Sequence, residues 1–218
     1  MNHSIIGITG SIGSGKSVVS RILRCNGFHV YDCDYEAKQL MVTSPQIREA
    51  LIDCAGEETY HPDGTLNRYY LASCIFSDDS LRLRVNKIVH SAVRESLGYS
   101  FSSLKPKLAN SKTTFQPYFI ESAILATAEL VGFCDSIWLI DAPRKVKIKR
   151  VMHRDNLSEE DVIVRLNVQA EELSLLPFSK TTTIINDGYT SLLATVFGLL
   201  NGESHSLSSY KMDNICIL

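Results

Sequence analysis

Apolar positions recur along this chain with two different periods, and the switches between them divide it into elements. Ile5, Ile6 and Ile8 make a short apolar run of strand length. Beyond a Gly/Ser stretch, Val18, Ile22 and Cys25 return at helical spacing, with Val19 and Leu23 beside them, until Gly27 ends the pattern. Phe28 to Tyr31 reads as a second strand. From residue 35 to 98 the helical period holds and no strand pattern interrupts it. Ser44-Pro45 offers an N-cap and a first helical position for a stripe of Ile47, Ala50, Leu51 and Cys54 that stops at Gly56. His61-Pro62-Asp63-Gly64 is a turn, and Asn67 can cap a helix carrying Leu71, Ile75 and Phe76. Ser77 then opens the strongest amphipathic pattern in the chain, Leu81, Val85, Ile88, Val89, Ala92, Val93 and Leu97, with Gly98 behind it. Residues 99–117 are rich in Ser, Thr and Lys, show no period and read mostly as loop.

Strand signals return at Tyr118–Glu121 and, after a helix expected from Ile124 to Val131 and closed by Gly132, at Ser136–Asp141, which Ala142-Pro143 halts. Ser158 has the character of a helix cap, Thr182–Ile185 reads as a last strand, and Leu192, Leu193, Val196, Leu199 and Leu200 form a final amphipathic helix. Strands alternating with helices predict an α/β fold with a parallel sheet. The 218 residues, 44% of them hydrophobic, suffice for one domain with inserted sub-domains.

Composition narrows the partners. A net charge of −2 leaves no global positive excess for a general nucleic-acid binder. Six scattered cysteines without a C-x-x-C pair suggest neither a zinc site nor a disulfide framework. No apolar run approaches membrane-spanning length, and the N-terminus lacks the features of a signal peptide, so the expectation is a reduced, cytoplasmic setting.

The chemistry concentrates in Gly10-Ser11-Ile12-Gly13-Ser14-Gly15-Lys16-Ser17, which satisfies G-x-x-x-x-G-K-[ST]. Placed between a buried strand and a helix N-terminus, such a loop directs unpaired N–H groups and the helix dipole at anionic oxygen. An ordinary Gly/Ser turn is the competing explanation, but three glycines in six residues followed by Lys-Ser favour a nucleotide triphosphate with Mg²⁺. Asp32-Cys33-Asp34 closes the second strand, where ligands of open parallel sheets gather. Those carboxylates could accept a proton from an attacking hydroxyl or hold Mg²⁺ through water, while Asp34 could equally cap the next helix. Residues 144–154 hold six Lys or Arg and no acid, with Lys147, Arg150 and Arg154 on one helical face. Such a run is either a solvated face or an anion-facing one; the lack of acidic partners favours the second.

These stretches in this order resemble the dephospho-coenzyme A kinase family of P-loop kinases over about the first 200 residues. The family's T-G-G-I-G-S-G-K-S-T appears as Thr9 to Val18, with Ser11 and Val18 replacing a Gly and a Thr. Its D-A-D is Asp32-Cys33-Asp34, and its D-G-x-L-x-R is Asp63 to Arg68. Its L-N-x-I-x-H-P reads Val85 to His90 with Ser91 in place of proline. The R-x-x-x-R-D of the lid is Arg150 to Asp155, the later lid glutamine is Gln169, and I-x-N-x-G is Ile185 to Gly188. P-L-L-F-E reads Ala123-Ile124-Leu125-Ala126-Thr127, so its carboxylate is missing or comes from Glu121 or Glu129, and Lys147 stands where a glutamine is usual.

The resemblance implies a three-layer P-loop NTPase fold with a parallel sheet, a helical substrate-binding insertion and a small helical lid. It divides the chain into a nucleotide-binding core of residues 1–34, 118–143 and 176–202, an acceptor-side insertion at 35–117, a basic lid at 144–175 and a tail at 203–218. It further implies that ATP phosphorylates the ribose 3′-hydroxyl of dephospho-CoA. Lys16 would contact the β- and γ-phosphates within a cradle of Gly13, Ser14, Gly15, Lys16, Ser17 and Val18, and Ser17 with Asp32 would serve Mg²⁺. Asp34 would orient or deprotonate the hydroxyl, though Asp32 remains open for that role. Arg150 and Arg154 would close on the phosphates, Asn186 would lie near the adenine of ATP, and Asp32, Arg68 and His90 would face the acceptor. No nucleic acid, membrane or obligate protein partner is expected. Alternatives are a kinase of another small acceptor, such as a nucleoside monophosphate, and a non-catalytic nucleotide-binding or switch protein. A GTPase-like switch would carry N-K-x-D, which the sequence lacks.

Overall fold

The chain builds a five-stranded sheet whose strands all run parallel; the computed structural model describes residues 4–109 and 117–202. In chain order the elements are β1 (Ile5–Thr9), α1 (Lys16–Cys25), β2 (Val30–Asp32), α2 (Cys33–Thr43), α3 (Pro45–Ala55), α4 (Arg68–Ser77), α5 (Asp79–Ala109), β3 (Tyr118–Glu121), β4 (Ser136–Asp141), α6 (Arg144–Asp155), α7 (Glu159–Ser174), β5 (Thr181–Ile185) and α8 (Leu192–Leu200). Short 3₁₀ turns punctuate the connections. The strand order is β2-β3-β1-β4-β5, so β1, with the loop that follows it, lies at the centre.

Alternation along the strands feeds two cores, one on each face of the sheet. In β3, Tyr118 and Ile120 join α2–α5 on one side, while Phe119 joins α1 and α8 on the other beside Ile8, Leu23, Trp138, Ile184 and Val196. Layers of helix, sheet and helix follow from that division. A third, small core of Ile148, Val151, Val162 and Leu166 holds α6 against α7.

Several boundaries differ from the sequence expectation. The amphipathic helix begins after Asp78, whose Oδ1 accepts the Leu81 N–H at 3.0 Å, not at Ser77, which ends α4. It also passes through Gly98 as far as Ala109, so residues 99–109 are helix where a loop was expected. A helical glycine costs only about 1 kcal/mol, and the partly buried Phe101, packed edge-on against Tyr118 at 5.6 Å, anchors the continuation to the core. The rest of that segment, 110–116, and the tail expected at 203–218 lie outside the described residues.

The helix expected from Ile124 to Val131 is a series of turns ending in a 3₁₀ turn at Val131–Phe133. Leu125 and Leu130 are both fully buried, yet five positions apart they would point about 140° from each other on an α-helix. Glu129 resolves the conflict by adopting a left-handed conformation, φ 58°.

Candidate active site

The loop between β1 and α1 is shaped by its glycines and held by distant elements. Gly15 occupies the N-cap of α1 with φ 101°, and a Cβ there would run into the side-chain amide of Asn186. Gly13, φ 77°, lets the lid helix approach: its Cβ would lie 2.6 Å from the Lys147 carbonyl oxygen. Neither a capping side chain nor an acidic residue occupies the first turn of α1; the Val18 N–H donates to the Gly15 carbonyl at 3.0 Å, which leaves those of Lys16 and Ser17 available to an anion.

Distant side chains then fix the loop's own polar groups. Asn186, just past β5, donates from Nδ2 to the Ser14 carbonyl at 2.8 Å. Arg150 donates to the Gly13 carbonyl at 3.2 Å and to Asn186 Oδ1 at 3.4 Å. Gln169 of α7 accepts the Ile12 N–H at 2.6 Å, and the Ile12 side chain packs against the core shared by α6 and α7. The lid is therefore docked on the loop. Lys16 Nζ donates back to the carbonyls of Gly10 and Ser11. Burial lowers its pKa and Arg154 lowers it further, while Glu121 and Asp34 oppose both. Among the described residues the buried hydroxyls of Ser11 and Ser14 find no hydrogen-bond partner, which suits a loop built around phosphate oxygens. Ser17 and Val18 are exposed at the start of α1.

Across from the lysine stand three carboxylates. Register places Asp32 of β2 beside Glu121 of β3, and Glu121 beside Ile8 of β1. Asp32, not Asp34, caps α2: its Oδ1 accepts the Tyr35 N–H at 3.0 Å. The cap role considered for Asp34 is thus corrected, since the chain turns helical one residue earlier, at Cys33. Asp34 lies in the first turn of α2, open to solvent, yet crowded enough that desolvation and Asp32 raise its pKa against Lys16 and Lys38. Glu121 is buried, and burial chiefly raises its pKa; Asp32 adds to the rise, while Ser20, Arg24 and Lys16 oppose it.

Arg24 was not among the sequence candidates, although its guanidinium lies 3.7 Å from both Asp32 and Glu121. The available signal is spacing: Lys16, Ser20 and Arg24 fall four apart and share one face of α1. Of the two acids considered for the missing carboxylate, Glu121 lies beside Asp32, whereas Glu129 pairs with Arg94 at 3.2 Å.

The side chains of the remaining candidates find partners away from the loop or none. Lys147 pairs with Asp141 at 2.8 Å, tying α6 to the tip of β4. Arg154 grips its neighbour Asp155 through two contacts of 2.7 and 2.8 Å. Arg68, the first residue of α4, is exposed and makes no side-chain hydrogen bond or ion pair among the described residues. His90 is half-buried on α5; burial and Arg94 lower its pKa, and Glu129 and Glu172 oppose them.

Among the described residues no three His, Cys, Asp or Glu groups cluster as a metal cage. An ion shared with a nucleotide needs only one or two protein oxygens, because phosphate and water supply the rest. Ser17, exposed at the start of α1, and Asp32, at the tip of β2, offer such oxygens. No helix among the described residues is long and apolar enough to cross a membrane.

A phosphate loop on a central strand, a docked lid bearing arginines, and acids at neighbouring strand tips together define a P-loop kinase of a small acceptor. The model of the dephospho-CoA kinase family matches residues 4–190, and the chain belongs to that family. It is 40% identical to the dephospho-CoA kinase of Porphyromonas gingivalis over 181 residues, 83% of this chain and 85% of that one. Over 209 residues it is 34% identical to the Bacteroides fragilis enzyme of the same name, covering 94% and 97% of the two chains. The solved dephospho-CoA kinase of Campylobacter jejuni shares the fold, with a TM-score of 0.62, 18% identity, and coverage of 90% of this chain and 95% of that one.

Proposed function

We propose that this chain transfers the γ-phosphoryl group of ATP to the ribose 3′-hydroxyl of dephospho-CoA, giving CoA and ADP in the last step of coenzyme A biosynthesis. The observation that carries this reading is a phosphate loop with its lysine on the central strand, beside the acids Glu121 and Asp32 at the tips of the two strands next along the sheet. Phosphoryl transfer asks for positioning and charge neutralisation more than covalent help. Within the cradle from Gly13 to Val18, the N–H groups not already bonded inside the loop, those of Lys16 and Ser17 among them, receive the phosphates, and Lys16 leaves its loop carbonyls for the β- and γ-oxygens. Arg150 and Arg154 face the charge that spreads over the moving phosphoryl group. Asp34 takes the proton of the 3′-hydroxyl as its oxygen bonds to phosphorus and the bond to the β-phosphate oxygen breaks, its electron pair leaving with ADP. Asp32, already fixed by the Tyr35 N–H and by Arg24, is the supporting acid. Ser17 and, through water, Asp32 would hold Mg²⁺, which when bound would neutralise charge on the phosphates. Arg68 and His90 serve the acceptor, and Asn186 braces the loop on the adenine side. The free thiols of the described cysteines suit a reduced, cytoplasmic setting.

Measuring ADP release with dephospho-CoA present and absent tests the reading. Release should depend on the acceptor, and nucleoside monophosphates should not replace it. Lys16→Ala and Asp34→Asn should each lower turnover at least ~100-fold. Acceptor-independent ADP release would reject the reaction, and near-normal turnover in Asp34→Asn would reject that residue as base.

A further inference from the structure

α7 does more than pack against its lid partner. Val162 and Leu166 already dock it on α6, and its C-terminal half carries two polar contacts that serve neither helix. Gln169 and Glu172, three positions apart and so on one face, reach two separate parts of the site. Gln169 Oε1 accepts the Ile12 N–H of the phosphate loop at 2.6 Å. Glu172 is 6% exposed, and its two carboxylate oxygens accept the Ala126 N–H at 2.6 Å and the Thr127 N–H at 3.0 Å. Ala126 and Thr127 belong to the turn that leaves β3 just after Glu121, one of the site's acids.

A buried carboxylate is costly unless hydrogen bonds compensate it, and here two backbone donors do so. That turn is the altered segment, in which Thr127 stands where the family pattern carries its acid. Glu172 brings a carboxylate back to the same place from another element, bonded to the backbone instead of facing a ligand. The turn's other flank is gripped by α5, where Arg94 donates to the Ala128 carbonyl at 3.0 Å and pairs with Glu129 at 3.2 Å. A chain of contacts therefore runs from the donor loop through α7 to the wall behind the strand-tip acids.

We propose that α7 acts as a two-ended strut in the docked lid, with Gln169 and Glu172 as positioning residues that set the gap between the donor loop and the acceptor-side turn. The proposal rests on the phosphoryl-transfer reading above, because the gap matters only if a group crosses it. In-line transfer loses rate steeply with misplacement on the order of 1 Å, so freeing either end should harm the chemical step more than nucleotide binding.

Kinetics and amide exchange of the full chain test it. Glu172→Gln, which preserves volume if the alanine variant does not fold, and Gln169→Ala should each lower kcat on the order of 10-fold, with the KM for ATP within about 2-fold of wild type. Because either lesion frees the same gap, the double variant should be no more than about 2-fold worse than the worse single one. Without any turnover, Glu172→Gln should speed hydrogen exchange at the Ile12 amide as well as at Ala126 and Thr127, and Gln169→Ala should likewise speed it at Ala126 and Thr127 as well as at Ile12. A thermal shift with unchanged kcat, multiplying losses in the double variant, or exchange confined to the altered end would each overturn the strut. If exchange shows the coupling while dephospho-CoA fails as acceptor, the strut stands and the assigned substrate falls.

Discussion

Asn186, Arg150, Gln169 and Lys16, from four different elements, each hold a named backbone group of the loop between β1 and α1. On the proposed acceptor side, Arg68 projects from the start of α4 with no side-chain partner among the described residues, and His90 faces Arg94 and two glutamates. One end of the site is thus ordered before any substrate arrives; at the other, on the proposed reading, the substrate supplies part of the order. Electrostatic catalysis depends on groups that need no rearrangement when charge develops, which places the demand for rigidity on the donor side. An acceptor that brings its own anionic groups can recruit a free guanidinium on binding, at the entropy cost of ordering that side chain.

The strongest way to break this comparison is to spoil the donor end by geometry alone. Gly15→Ala adds one methyl group at φ 101°, where it meets the Asn186 amide. Strain of this kind costs roughly 1–3 kcal/mol, and the displaced cradle should raise the KM for ATP by at least ~10-fold. Steady-state kinetics and thermal melting report the two effects; unchanged values for both would show that the loop is not preordered as described.

The acceptor end should respond differently. Arg68→Ala removes an exposed side chain, so melting should stay within experimental error while the KM for dephospho-CoA rises on the order of 10-fold, the scale of one lost charge-assisted contact. The KM for ATP should not move. A rise in both KM values, or in neither, would remove Arg68 from the acceptor side.

The same contrast governs what the sequence made legible. The phosphate loop could be read because its glycines, lysine and flanking periods are contiguous, and the helix caps at Ser44, Asn67 and Ser158 could be read because a cap depends on residues within one turn. Arg24 and Glu172 act across 8 and 46 positions of chain, and no local pattern announces such partners; Gln169, 157 positions from Ile12, is named only through the family resemblance. Misread segments failed for physical reasons of the same sort. Gly98 reads as a stop because glycine weakens helices, but packing of the partly buried Phe101 offsets that penalty. The 124–131 turns mimic a helix in composition, and only the need to bury both Leu125 and Leu130 shows otherwise.

The smallest predicted effect is the most specific to the seam between the two ends. Desolvation and Asp32 raise the pKa of Asp34, and Lys16 and Lys38 pull it back. A raised pKa means that the fold binds this proton more tightly than the unfolded chain does. The associated stability is therefore present below the ordinary carboxylate pKa and is lost as pH rises through the raised value. Catalysis needs the opposite form, since a base must be deprotonated. Replacing exposed Lys38 with Met removes a positive neighbour, favours the neutral acid and should move the acidic limb of the kcat/KM profile to higher pH. Salt should shrink the difference between the two profiles, because a contact through solvent is screened within about 10 Å at 0.1 M ionic strength. A limb that moves to lower pH, or one indifferent to Lys38 at low salt, would show that another group controls the acid side of the reaction.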